Sequence, residues 1–165
     1  MPVRPICTIP NPVLQRVAAE IDTIAPEIQA IIADLRDTVR SHPHCVGIAA
    51  PQIGASWRII IVDITRNPKP HHNHGELILI NPVITASSGK HIGKEGCLSV
   101  PDLIGTVRRA EKITLKALLP NGSVTTFSTN GFEAVALQHE IDHLDGIVFL
   151  DRVSSLKTDV FRRNA

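Results

Sequence analysis

The chain has 165 residues, of which 43% are hydrophobic, 20% charged and 3% aromatic, with a net charge of +1. That length buries a real core in one domain, expected to span residues 1–165, and the composition excludes a disordered chain. The near-zero charge and the scarcity of rings leave no electrostatic or stacking case for DNA or other nucleic acid.

From the N-terminus, MPVRPICTIPNP shows no apolar run followed by a cleavage site, and no later segment is long enough to span a membrane. Asn11-Pro12 pairs an N-cap with an N1 proline and predicts a helix running into VLQRVAAEI. After Pro26, residues Ile28, Ile31, Ile32, Leu35 and Val39 form one apolar helical stripe, which His42-Pro43 ends. RIIIVDI (58–64) and ELILI (76–80) read as strands, joined by a polar Pro/His loop holding His71, His72 and His74. That loop has no Cys or carboxylate at ligand spacing and is expected to be solvated. KITLKALL, Pro120-Asn121-Gly122 and SVTTFS predict a β-hairpin. GFEAVALQHEIDHL (131–144) predicts a helix that stops at Gly146, and SSLKTDVFRRNA a last short helix. Helix, then strands, then helix predicts an α+β fold, with antiparallel or mixed sheets around the second long helix. The three cysteines, Cys7, Cys45 and Cys97, are odd in number and widely spaced, which points to a reducing compartment and no disulfide framework.

The chemistry concentrates in QHEIDHLDG (138–146). Residues four apart share a helix face, so His139 and His143 point where Phe132, Val135 and Ala136 point, inward. Two buried histidines bonded to neighbours is the alternative, but His-Glu-x-x-His on an amphipathic helix favours a metal. A third ligand is needed. No Glu follows Glu140, and the position where some metalloproteases carry a third His holds Phe149. Asp145 follows His143 too closely, Asp151 and Asp159 remain open, and upstream Cys97 offers a thiolate suited to zinc or iron(II).

Three segments in order, VGIAAPQIG (46–54), EGCLSVP (95–101) and QHEIDHLDG, resemble the peptide deformylase family. PNPVLQRVA, Asn81-Pro82 and VFLDRVSSLK are similar too, so the likeness runs from about Pro5 to Lys157. The resemblance implies a metal-dependent hydrolase that removes the formyl group from N-formylmethionyl nascent peptides. It implies Cys97, His139 and His143 as metal ligands and Glu140 as general acid/base. Gln52 and the backbone N–H of Leu98 would stabilise the oxyanion. Gly47 would let backbone approach the substrate, and Val46, Phe132 and Val135 would line the methionine pocket. One divalent ion is implied, iron(II) in vivo, with zinc, nickel or cobalt able to replace it. A bacterial cytoplasm fits best, with a mature organellar or phage form as alternatives.

Two departures stand out. Cys45 occupies the first position of the family's Gly-x-Gly, where a positive φ would cost a side chain about 1–2 kcal/mol. Ile104 stands where an arginine often follows the second motif, with Arg108 or Arg109 as candidate replacements for peptide contacts. The basic tail, Lys157, Arg162 and Arg163, offers a contact to the ribosome.

Overall fold

The computed structural model describes residues 3–69 and 71–162. Helix α1 (Pro26–Arg40) leads into strands β1 (Gly47–Ala49), β2 (Ile59–Val62), β3 (Leu77–Ser88), β4 (His91–Cys97), β5 (Val100–Arg109), β6 (Lys112–Leu118) and β7 (Val124–Asn130). Helix α2 (Gly131–Leu144) follows β7 directly, and strand β8 (Val160–Arg162) comes last. One antiparallel sheet runs β1-β2-β3-β6-β7, and a second runs β4-β5-β8. The expected α+β architecture around a central helix is what the chain adopts.

The run Ile-Ile-Ile-Val in β2 decides the layering. All four residues are buried, because both faces of this sheet are covered. Ile59 and Ile61 pack with Ile28, Ile32, Leu35 and Val39 of α1. Ile60 and Val62 pack with Leu137, Ile141 and Leu144 of α2. Alternation along one strand thus serves two helices, and each fully buried aliphatic side chain contributes about 1.5–3 kcal/mol of transfer free energy. A third cluster, Cys97, Val100, Val107, Val148 and Phe149, sits under the smaller sheet.

Four local expectations change. The helix begun at Asn11 is a single 3-10 turn over Pro12–Gln15, although Asn11 does cap it by accepting from Val13 N at 3.0 Å. Beyond it, backbone bonds to other elements win: Ala18 N donates to Leu144 O at 2.7 Å and Arg58 N to Ala19 O at 3.0 Å. Residues 77–80 and the Asn81-Pro82 segment belong to one strand, β3, bent by a register shift between Ile80 and Val83. Asn81 takes φ +51° there, and its amide holds the Ile21 backbone, accepting at 2.9 Å and donating at 2.8 Å. The long β4–β5 hairpin was legible only around Cys97, because glycines and charges dilute its alternation.

The tail is the fourth. The expected short C-terminal helix is replaced by a turn, closed by Ser155 N donating to Asp159 Oδ2 at 3.0 Å, and then by β8. β8 pairs with Leu103, Ile104 and Gly105 of β5, whose backbone it satisfies. Of the basic tail residues, Lys157 lies in that turn and Arg162 ends β8, while Arg163 lies outside the described residues.

Candidate active site

Cys97 is the last residue of β4, paired with Val100 across the two-residue turn Leu98-Ser99. α2 presents His139 and His143 to it from the other layer. One ligand atom from each of Cys97, His139 and His143 lies within 4.8 Å of the others, an arrangement able to hold a metal ion. The Cys97 Sγ is 3.3 Å from His143 Nε2. Bond lengths of about 2.3 Å to sulfur and 2.0–2.1 Å to nitrogen place tetrahedral ligands about 3.5 Å apart, so this edge fits a zinc-sized ion. Asp151 and Asp159, left open as ligands, are occupied elsewhere, and so is Asp145. Asp151 accepts from Val148 N at 2.9 Å, Asp159 closes the tail turn, and Asp145 pairs with Arg58 at 2.9 Å.

The surroundings favour a cation at this point. Burial pushes the His139 imidazole down, but the Cys97 sulfur and the Glu140 and Glu95 carboxylates outweigh it and raise its pKa well above the ordinary range. Burial, reinforced by His139 and Arg109, pulls His143 down to about 3, so its nitrogen lone pair stays available. Burial lifts Glu140 to about 7, against the opposing pull of His139 and Arg109. A carboxyl poised near neutrality suits proton transfer. Glu140 Oε1 is buried without a hydrogen-bond partner among the described residues, leaving it open to a proton donor.

A cavity of about 570 Å³ opens beside these groups. Val46, Gly47, Gln52, Leu98, Phe132 and Val135 all line it, as do Cys97, His139 and Glu140. Of the metal-ligand, acid/base, oxyanion and pocket residues that the resemblance implies, all but the fully buried His143 therefore line one cavity. Gly47 is needed for a steric reason, since a Cβ there would sit 2.8 Å from Glu140 Oε2. Gln52 is 2% exposed. Its Oε1 accepts from Ala49 N at 2.9 Å, and its Nε2 donates to Ser99 Oγ at 3.1 Å and faces Cys97 Sγ at 3.4 Å.

Both departures resolve. Among the described residues the only non-glycine residues with positive φ are Asn81 and Asp102, so Cys45 bears no such strain. Its thiol, pushed up to about 12 chiefly by burial and then by Glu140, donates to Gly47 O at 2.9 Å and lines the cavity. Ile104 also lines the cavity. Arg109 does not replace the missing arginine, because it is 7% exposed and committed to Glu95 and Asp142 at 2.6 and 2.9 Å. Arg108 borders a separate cleft with Arg58 and Lys90.

The sequence reading missed the groups that hold the ligands. Glu95 Oε1 accepts from His139 Nδ1 at 2.8 Å, which turns Nε2 toward Cys97 and His143. Burial alone would raise the Glu95 carboxyl, but the bonds and charges of His139 and Arg109 bring it down to about 2. Asp142 continues the chain, joining Arg109 at 2.9 Å to Arg152 at 2.8 Å. The signal was present: Glu95 lies two residues before Cys97 on one strand and so shares its face. Glu133 was missed too. Fully buried, it anchors the His71–His74 loop by accepting from His74 N at 2.7 Å and His74 Nδ1 at 2.5 Å.

The chain is similar to known proteins over nearly its whole length. The family model "Polypeptide deformylase" matches residues 3–159. A peptide deformylase of Thermomicrobium roseum is 43% identical over 159 residues, covering 96% of this chain and 90% of that protein. One from Syntrophobacter fumaroxidans is 38% identical over 163 residues, covering 99% and 94%. Among solved structures, a peptide deformylase from Legionella pneumophila superimposes with a TM-score of 0.85 at 40% identity, covering 94% of this chain and 88% of that one. The Met-Ala-Ser-bound class I type b enzyme of Acinetobacter baumannii gives a TM-score of 0.85 at 34% identity, covering 92% and 100%. With the family model spanning nearly the whole chain and these likenesses extending over sequence and fold alike, the chain belongs to the polypeptide deformylase family.

Proposed function

We propose that the chain is a metal-dependent hydrolase that removes the formyl group from the N-formylmethionyl end of nascent polypeptides and releases formate. The observation that carries this reading is the cluster of Cys97, His139 and His143 beside a cavity that Cys97, His139 and Glu140 line, in a chain of this family. The cavity lies between two edge strands, β1 of the larger sheet and β4 of the smaller. Edge strands offer unpaired backbone groups to an extended peptide. The bound Met-Ala-Ser of the Acinetobacter baumannii neighbour has the sequence of a peptide freed of its formyl group, and that likeness supports the same substrate class here.

Cys97, His139 and His143 would hold one divalent ion, iron(II) in vivo, with zinc, nickel or cobalt as substitutes, since thiolate and imidazole suit all four. Such an ion supplies Lewis acidity and lowers the pKa of water toward about 7. Glu140 takes a proton from the attacking water and returns it to the amine nitrogen as the C–N bond breaks. Gln52 Nε2, whose second N–H faces the ligand cluster, and the Leu98 N–H receive the charge that develops on the formyl oxygen, each contributing about 2.7–4 kcal/mol in comparable sites. Gly47 keeps Glu140 unobstructed. Val46, Phe132 and Val135 give the methionine side chain an apolar wall. The catalytic unit is the whole chain, 1–165, working in a bacterial cytoplasm. Its basic tail, Lys157, Arg162 and Arg163, touches the ribosome from which substrates emerge.

The deciding experiment uses protein prepared without oxygen and loaded separately with iron(II), cobalt, nickel or zinc. Formate should appear from formyl-Met-Ala-Ser, and internal peptide bonds should stay intact. No formate with any of the four ions overturns the reading.

A further inference from the structure

Glu133 is a fully buried carboxylate that the proposed chemistry does not use. It sits in the first turn of α2, next to the cavity-lining Phe132. Buried carboxylates cost stability unless their oxygens are bonded, and three donors meet this one. Thr129 Oγ1 donates at 2.8 Å, the His74 backbone N–H at 2.7 Å and His74 Nδ1 at 2.5 Å. Two of the three belong to one residue of the loop that precedes β3. Asn73 closes the same loop on itself, its Oδ1 accepting from Gly75 N and its Nδ2 donating to His71 O, each at 2.9 Å. His71 is exposed, and its ring stands 4.8 Å from the Phe132 ring, centroid to centroid, at a tilt of 41°.

We infer that Glu133 is a positioning residue for substrate selection. Through His74 and Asn73 it seats the loop so that the His71 ring braces Phe132, the wall against which a substrate's first side chain packs. The inference rests on the reading of the cavity as a formyl-peptide site. Phe132 is half-buried and second in its helix, so no helical turn precedes it to pin its ring. A ring with several accessible rotamers must be ordered by whatever binds it, at a cost in affinity. The His71 contact orders it beforehand. A long apolar side chain that reaches Phe132 gains from this, whereas an alanine side chain does not. His139 and Glu140 stand about two turns further along α2, so the brace acts on binding and leaves the chemical step alone.

The test follows metal-loaded enzyme on formyl-Met-Ala-Ser and formyl-Ala-Ala-Ser. His71→Ala should raise KM for the methionine peptide about two- to tenfold, the range such a ring contact is worth, with kcat steady and the alanine peptide unaffected. His71→Phe should restore the original values. Glu133→Gln should give the same shift, and adding His71→Ala to it should change little more, since both break one tie. If Glu133→Gln does not fold, His74→Ala cuts that tie from the loop side and takes its place. Calorimetry with unformylated Met-Ala-Ser should show the same weakening in His71→Ala without turnover. An unmoved KM, an equal loss on both peptides, as a merely structural role would give, or no rescue by His71→Phe overturns the inference. If no peptide yields formate yet His71→Ala still weakens Met-Ala-Ser binding, the brace stands and the deformylase reading falls; no formate and no binding overturns both.

Discussion

Removing the Glu95 carboxylate would leave the His139 Nδ1 proton without its acceptor and Arg109 with an uncompensated buried charge. Glu95→Ala should therefore weaken metal affinity by about 10–100-fold, measured by competition with a chelator, while Cys97 and both histidines remain. Cys97→Ala removes a ligand outright and should abolish stoichiometric metal; full occupancy by metal analysis would take Cys97 out of the site. Glu140→Gln should keep the metal and lower kcat by about 10²–10⁴-fold, and a near-normal rate would end its acid/base role. These residues differ in how openly the sequence displays them. His139, Glu140 and His143 announce themselves by helical spacing. Cys97 was one option among several until its motif joined two others. Glu95 does not announce itself, because an acidic residue in a glycine-flanked strand carries no signal until its partners across the fold, His139 and Arg109, are known.

α2 was readable residue by residue, since it starts at Gly131 behind a polar strand and ends where Gly146 can turn the chain. Gly146 takes φ +76°, and a Cβ there would lie 2.6 Å from Gln15 O. Gly146→Ala combines a left-handed penalty with a backbone clash and should cost about 2 kcal/mol or more, lowering Tm by about 4–8 °C. An unchanged melting curve would show that the 12–18 segment yields freely. α1 was equally plain from its isoleucine stripe. The β4–β5 hairpin and β8 were not, the first because glycines and charges break its alternation, the second because its partner β5 lies about fifty residues earlier. The tail's helical look lost to an edge of β5 with backbone groups to satisfy. Local propensity ranks below such pairing when the edge would otherwise stay open.

The two sheets give the molecule its character, and their division could not be read from the chain, since β3 finds β6 and β5 finds β8 only in the folded state. What the sequence did disclose was β2 itself as an apolar strand; that both its faces are covered by helices shows only in the fold. The ligand set straddles the division: Cys97 ends a strand of the smaller sheet, while both imidazoles come from the helix packed on the larger one. A bound ion is then a rivet between two bodies as well as a chemical tool. Stripping it with a chelator should lower Tm by about 8–16 °C if the ion is held at about a thousand times its Kd. The loss should be uneven. Amide hydrogens of β4 and β5 should exchange with deuterated solvent sooner, as the small sheet peels away from its anchor, while those of β2 and β3 keep their protection. Uniform acceleration throughout the chain would mean that the two bodies come apart as one.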